Sequence, residues 1–367
     1  MKVIEVIRGL GLGGSESQLV QRLEYMSRNP ALDVQTLAVI NAYSGEQFFA
    51  ERLEKAEVVV EDLGTSNRWT SLFLLWRRAK RFPDGAVVVV HSPWPALALK
   101  VMKASGRFPH ALVEVASSTH YARPLLFLGR WLNRYADAFI AVSDDVAQAP
   151  TVAGARAVHV VHAGVDRHAL RRWVESNPSA PADYRSRLGM RRSDRLLAMV
   201  GNLYHFKGQD NAIRALQSLD SDIHLVLAGD GPEGPELTSL AIRLGVRDRV
   251  HFVGREANAW RWAAVADIVV HPSRREGLPV ALIEARVLGT PVIATDVGGI
   301  SAVLRTDRSS IVVPEGDGVA FASALRARLR DAVPIELAFA RRAAVANEWD
   351  VARFVREFYE KLREVEI

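Results

Sequence analysis

The chain has 367 residues, 49% hydrophobic and 24% charged, an ordinary globular balance with enough material for two cores. Its net charge of +5 allows anionic partners such as phosphorylated ligands or an acidic membrane surface, and there is no nucleic-acid motif with interleaved aromatics. With no cysteine, disulfides, thiolate metal sites and thiol nucleophiles are excluded, and no apolar run is long enough to cross a bilayer.

The N-terminal run MKVIEVI places Glu5 inside an apolar alternation, which reads as a first strand and not as a signal peptide. Further strands are expected at Val34–Ile40, Val58–Glu61, Ala86–His91, Ala111–Ala116 and Ala138–Val142. A second series follows at Leu196–Gly201, His224–Gly229, Val250–Val253, Ile268–His271, Pro291–Ala294 and Ser310–Val313. Segments of helical spacing, such as Ser15–Ser27 and Asn211–Leu219, alternate with them, so parallel sheets covered on both faces are predicted. Asp166–Gly189 is rich in Ser, Pro and Ala, lacks an apolar period and reads as a linker. The expected organisation is α/β: two doubly wound Rossmann-like domains, 1–168 and 169–345, facing across a cleft, and a terminal helix over 346–367 that returns to the first domain.

Gly9, Gly11 and Gly14 have the spacing of a dinucleotide fingerprint, but the second strand ends Val39-Ile40-Asn41 without the carboxylate that would hold a ribose. The loop still exposes backbone N–H groups at a helix start, which suits a phosphate better than a nicotinamide cofactor. In the second half Lys207 stands at the mouth of a strand-to-helix loop, where an ammonium can meet a phosphate. Gly229-Asp-Gly-Pro232 reads as turn chemistry, and the strand Val250–Val253, stopping at Gly254, offers a backbone edge that could meet a nucleobase. The run Glu276-Gly277-Leu278-Pro279 leads into a helix carrying Glu284, with Pro279 suited to its first position. A diphosphate fits such a helix start, and the two carboxylates can accept hydrogen bonds from sugar and ribose hydroxyls.

The stretches EGLPVALIEA, Lys207-Gly208, GDGP, DRVHFVG and TPVIATDVGG, together with GLGGSE, Thr119-His120 and VVHAGVD, resemble family four of the retaining glycosyltransferases, which have the GT-B fold. The resemblance covers nearly the whole chain. It implies His120 and Glu276 at the reacting centre, and a donor-binding set of Gly13, Gly14, Asn202, Lys207, Arg255, Gly277, Leu278, Pro279 and Glu284. Lys207 would bind the donor diphosphate, Glu276 the transferred sugar and Glu284 the ribose. It further implies a UDP-sugar donor ahead of GDP-mannose, a glycan or lipid-linked acceptor, retention of anomeric configuration, and neither metal nor cofactor. Two positions depart from the family pattern: Asn202 stands where an Arg is usual, and Ser309-Ser310 where a Gly is usual. A sugar-nucleotide epimerase and a non-catalytic sugar-nucleotide-binding subunit are the competing readings.

Asp220-Ser-Asp222 matches an Asp-x-Asp metal signature but reads as a solvated turn, and His159 and His162, flanking a short strand, as packing residues. Asn67–Phe82 carries Arg68, Arg77, Arg78, Lys80 and Arg81 beside Trp69, Phe73 and Trp76, with no acidic residue. Such a helix can lie on an anionic membrane. The expected location is therefore cytoplasmic, peripheral at the inner membrane face. Acceptor choice is expected to rest on the loops Ser117–Pro124 and Ala42–Gln47.

Overall fold

The computed structural model describes residues 1–11, 13–29, 35–40, 49–63, 67–121, 123–331, 334–340 and 347–365. The loop 42–47 lies outside them. The chain divides into two compact units, Met1–Gly164 with Val351–Ile367, and Val165–Asp350.

The first unit holds a seven-stranded parallel sheet: β1 (Lys2–Ile7), β2 (Gln35–Ile40), β3 (Val59–Asp62), β4 (Val87–Val90), β5 (Ala111–Ala116), β6 (Ala138–Ala141) and β7 (Val158–Val160). Its order is β3-β2-β1-β4-β5-β6-β7. Four consecutive valines make β4 a strand buried on both faces, as a central parallel strand must be. Alternate residues of one strand face different layers. Ile4, Val6, Val88, Val90 and Leu112 pack under Leu75, Ala79, Ala96, Leu99 and Met102 of the helices Arg68–Ala79 and Pro93–Ala104. Val3, Val87, Val89 and Val113 pack under Met26 of the helix Gly14–Ser27 and Phe354, Val355, Phe358 and Leu362 of the last helix, Val351–Val365. The terminal helix thus belongs to the first unit. Asn67 starts the basic helix by accepting hydrogen bonds from the N–H groups of Trp69 and Thr70 (2.9 and 3.2 Å).

The second unit repeats the plan with six strands: β8 (Arg195–Val200), β9 (Ile223–Ala228), β10 (Val250–Gly254), β11 (Ile268–His271), β12 (Val292–Thr295) and β13 (Ile311–Val313), in the order β10-β9-β8-β11-β12-β13. Where the sequence suggests a linker at 166–189, two helices form, Arg167–Ser176 and Ala180–Arg187. The first buries Leu170 and Val174, one turn apart, beneath an otherwise polar surface. Apolar period does not hold the second; buried Arg185 anchors it, donating to Asp267 at 2.6 Å and to the carbonyls of Pro181 and Val265 at 3.2 Å. Asp220 and Asp222 precede β9, at the amino end of its strand and so at the opposite end of the sheet from the loops described below. Among the described residues, no helix is long and apolar enough to cross a membrane.

Candidate donor site

Strand order reverses between β8 and β11, so the loops leaving their carboxyl ends diverge and open a crevice inside the second unit. Gly208, at φ +76°, lets the first loop lie against the carbonyl of Pro272, where any Cβ would collide. The N–H of Arg274 donates to the carbonyl of Phe206 at 2.8 Å, and the Arg274 guanidinium grips Asp210 through two bonds of 2.8 Å. These contacts bring Lys207 and Glu276, 69 residues apart in sequence, into one cluster.

Lys207 Nζ donates to Glu276 Oε1 at 2.8 Å and Oε2 at 3.0 Å. His271 Nε2, at the end of β11, lies 2.7 Å from Oε1, and Ser273 Oγ donates to the same oxygen at 2.8 Å. Three donors therefore fix Oε1, while Oε2 receives Lys207 and keeps capacity for a ligand hydroxyl. Burial raises the pKa of Glu276, whose side chain is 7% exposed; the Lys207 charge and the His271 hydrogen bond outweigh it and hold the carboxyl at about 2. The group is ionised at neutral pH, able to accept hydrogen bonds and unable to act as a proton donor. His271 Nδ1 is buried with no hydrogen-bond partner, which fits a ring protonated on Nε2.

The backbone after Glu276 is clasped from β12: Gly299 N–H donates to the Gly277 carbonyl at 2.8 Å, and Gly298, at φ +55°, lies against the Glu276 carbonyl where a Cβ could not. Pro279 is the N-cap and not the first helical residue, because its ψ of 107° is extended; the helix begins at Val280 and runs to Leu288. No side chain caps it; the N–H groups of Leu282 and Ile283 donate to the Pro279 carbonyl at 3.0 and 3.3 Å, and the helix dipole favours an anion at this start. Glu284 is half-buried on this helix, between buried Ile283 and Ala285.

Asn202 lies on the β8 loop, its carbonyl accepting from Gln209 Nε2 and from the N–H of Tyr204, both at 3.0 Å. Arg255 follows β10, two strands out from β8, and faces the Asp230 carboxylate at 3.6 Å. In the first unit the glycine loop again sits at the reversal point, between β1 and β4. Gly13 is the N-cap of the helix beginning at Gly14, and Glu16 folds back over Gly13; burial raises the pKa of that carboxyl. Ser15 Oγ donates to Ser117 Oγ at 3.0 Å, tying the glycine loop to the loop after β5 that carries exposed His120. Thr119 Oγ1 lies 2.8 Å from His120 Nδ1.

The spacing of motifs does not single out His271, Ser273 and Arg275. His271 and Ser273 are visible only as the residues before the Glu276 run, and their role follows from the fold of the loop. The Arg275 guanidinium lies 5.3 Å from the centre of the Phe206 ring, and the Lys207 ammonium 5.7 Å from the same ring.

Residues 13–169 match Glycosyltransferase Family 4, and residues 194–331 match Glycosyl transferases group 1. The chain belongs to the family-four glycosyltransferases, and its fold is GT-B. Among its curated relatives, the D-inositol 3-phosphate glycosyltransferase of Mycobacterium marinum is 30% identical over 317 residues, 82% of this chain and 63% of that protein. The protein of the same description from Xylanimonas cellulosilytica is 35% identical over 180 residues, 47% of this chain and 43% of that protein. The chain thus spans less than two thirds of the length of these relatives. Of solved structures, HepE of Anabaena in complex with UDP-glucose has a TM-score of 0.81 at 21% identity, covering 99% of this chain and 100% of that one. Sucrose-phosphate synthase from Thermosynechococcus elongatus has a TM-score of 0.77 at 18% identity, covering 100% and 99%.

Proposed function

We propose that the protein transfers a sugar from a nucleoside-diphosphate sugar, a UDP-sugar ahead of GDP-mannose, to a glycan or lipid-linked acceptor, with retention of anomeric configuration. The observation that carries this reading is the ionised Glu276 carboxylate held by Lys207 at 2.8 Å beside an uncapped helix start. The helix N-terminus and Lys207 supply positive charge for a diphosphate, and Glu276 Oε2 supplies an acceptor for a sugar hydroxyl. Arg275 supplies the second cation that Asn202 does not. Glu284 takes the ribose, Gly277, Leu278 and Pro279 line the diphosphate and sugar, Arg255 lies on the nucleotide side, and Gly13, Gly14 and His120 act at the sugar and acceptor. That HepE was crystallised with UDP-glucose supports the choice of nucleotide.

In this reaction the bond from the anomeric carbon to the diphosphate oxygen breaks, and the acceptor oxygen bonds to the same face of that carbon. The acceptor proton passes to the departing phosphate. The protein positions both partners and stabilises the leaving charge, and no metal takes part. The lipid-linked form of the acceptor accords with membrane contact through the basic helix 68–79.

The test is to incubate the protein with UDP- and GDP-sugars plus candidate acceptors and follow free nucleoside diphosphate and the anomeric configuration of the product by NMR. Release of UDP with an unchanged anomeric sense, insensitive to chelator and lost in Glu276→Ala, is expected. Conversion of the nucleotide sugar to its epimer, or transfer that survives Glu276→Ala, would overturn the reading.

A further inference from the structure

Right-handed crossovers place the helices 68–79, 93–104 and 123–132 on one face of the first sheet, side by side. The third of these, RPLLFLGRWL, has no buried residue although six of its ten side chains are large and apolar. Phe127 is 70% exposed and Trp131 57%. Trp69 (65%) and Phe73 on the first helix and Val101 on the second are also exposed, so among the described residues of the first unit every large apolar side chain open to solvent except Val59 lies on this layer. A cavity of about 550 Å³ runs beside the third helix, lined by Leu126, Phe127, Arg130, Pro150, Ala153 and Gly154.

Charge on the layer has one sign. The segments 67–82, 92–107 and 123–134 contain no Asp or Glu. The carboxylates Glu61 and Asp137 come from strand ends and pair with Arg78 and Lys103. Arg77, Arg81, Arg123 and Arg130 have no carboxylate partner among the described residues. Two copies of such a face would repel each other, whereas an anionic bilayer offers headgroups for the arginines and an apolar interior for the rings.

We propose that this helix layer docks on an anionic phospholipid surface and that the helix 123–132, not the helix 68–79, is the principal anchor. The proposal rests on the membrane contact named above and assigns its anchor. Docking by this helix would set the His120 loop, which immediately precedes it, at the bilayer surface where a lipid-linked acceptor resides.

The experiment is co-sedimentation of the full chain with vesicles of phosphatidylcholine alone and of phosphatidylcholine with phosphatidylglycerol. Pelleting with the anionic vesicles only is expected. The double variant Phe127→Ser with Trp131→Ser should weaken vesicle binding at least about tenfold, and Trp69→Ser with Phe73→Ser should weaken it less. Both variants change exposed residues and should melt within about 2 °C of the wild type. Because the chain has no cysteine, Leu128→Cys gives a single labelling site, and an environment-sensitive dye there should shift to the blue on anionic vesicles. If the 127/131 variant pellets like the wild type while the 69/73 variant does not, or if the dye at 128 stays in water while the protein pellets, the anchor assignment is wrong and the membrane reading stands. If the wild type does not pellet with anionic vesicles, both are wrong.

Discussion

Glu5 in the first unit and Glu276 in the second have neighbours of the same kind. Each carboxylate sits at the strand reversal of its sheet, 2.7 Å from a histidine Nε2 (His91, just past the neighbouring β4, for Glu5; His271, ending the β11 that leads into it, for Glu276), and bonded to a cation: Arg22 at 2.6 Å in one case, Lys207 at 2.8 Å in the other. Burial would raise the pKa of either glutamate, and the cation and histidine bring both to about 2. What differs is the lid. Arg22 also donates to the Tyr359 hydroxyl at 3.0 Å and lies 3.8 Å from the Phe358 ring, so the last helix seals Glu5 completely. Around Glu276 the cation is partly open, and the adjacent helix start carries no capping side chain. On the proposed reading, the sealed carboxylate serves the fold, and the one whose cation is partly open beside an uncapped helix start serves a ligand.

That comparison breaks most visibly on removal of each cation. Arg22→Met leaves Glu5 charged and buried, and should cost about 3–5 kcal/mol in a urea or thermal melt. Lys207→Met leaves Glu276 bonded to His271 and Ser273, and should cost about 1 kcal/mol. Equal losses in the two variants would erase the distinction between lock and site.

Next in size is the effect on turnover. Glu276→Gln keeps the shape and removes the charge, and should lower kcat/KM for transfer by about 10²–10³-fold; it should also lower the melting temperature at neutral pH, because the stability held by the depressed carboxyl is lost. Arg275→Ala tests whether the second cation stands beside Lys207; donor KM should rise about tenfold, with stability unchanged. A variant indistinguishable from the wild type in donor affinity would confine the diphosphate grip to Lys207 and the helix start.

At neutral pH both glutamates are ionised, so the last difference emerges only in acid. Each folded pKa, at about 2, lies below the ordinary 4.5, so the stability each contributes is present above 4.5 and lost as pH falls towards 2. Burial keeps the His91 pKa below 6.5, so neutral His91 adds to the loss once pH drops below that value. A melting series from pH 7 to acid should show Glu276→Gln losing less stability between about pH 4.5 and 2 than the wild type; parallel curves would mean that the carboxyl is not held low.

The sequence marks Lys207, Glu276 and Glu284 because they fall at fixed offsets from strand ends and helix starts. It does not mark the bond between Lys207 and Glu276, which exists only because β8 and β11 become neighbours. Glu5 reads as a polar interruption in an apolar strand, since its partners lie 17 and 86 residues away, and Tyr359, which reaches the same cluster through Arg22, lies farther still. Of the two helices in the stretch read as a linker, the one at 167–176 does carry helical spacing at Leu170, Trp173 and Val174, which the linker reading overlooks, whereas the one at 180–187 depends on Arg185 meeting Asp267.

The most direct test of the donor-site assignment is a thermal-shift titration with UDP and GDP and their sugar nucleotides, run on the wild type, Lys207→Met and Arg22→Lys. A ligand at 100 times its Kd stabilises the folded state by about 2.7 kcal/mol. The wild type and Arg22→Lys should each gain melting temperature with a UDP-sugar, whatever their starting stability, and Lys207→Met should gain little. An equal gain in Lys207→Met, or no gain in the wild type with any of these nucleotides, would contradict the assignment of Lys207 and Glu276 to the donor.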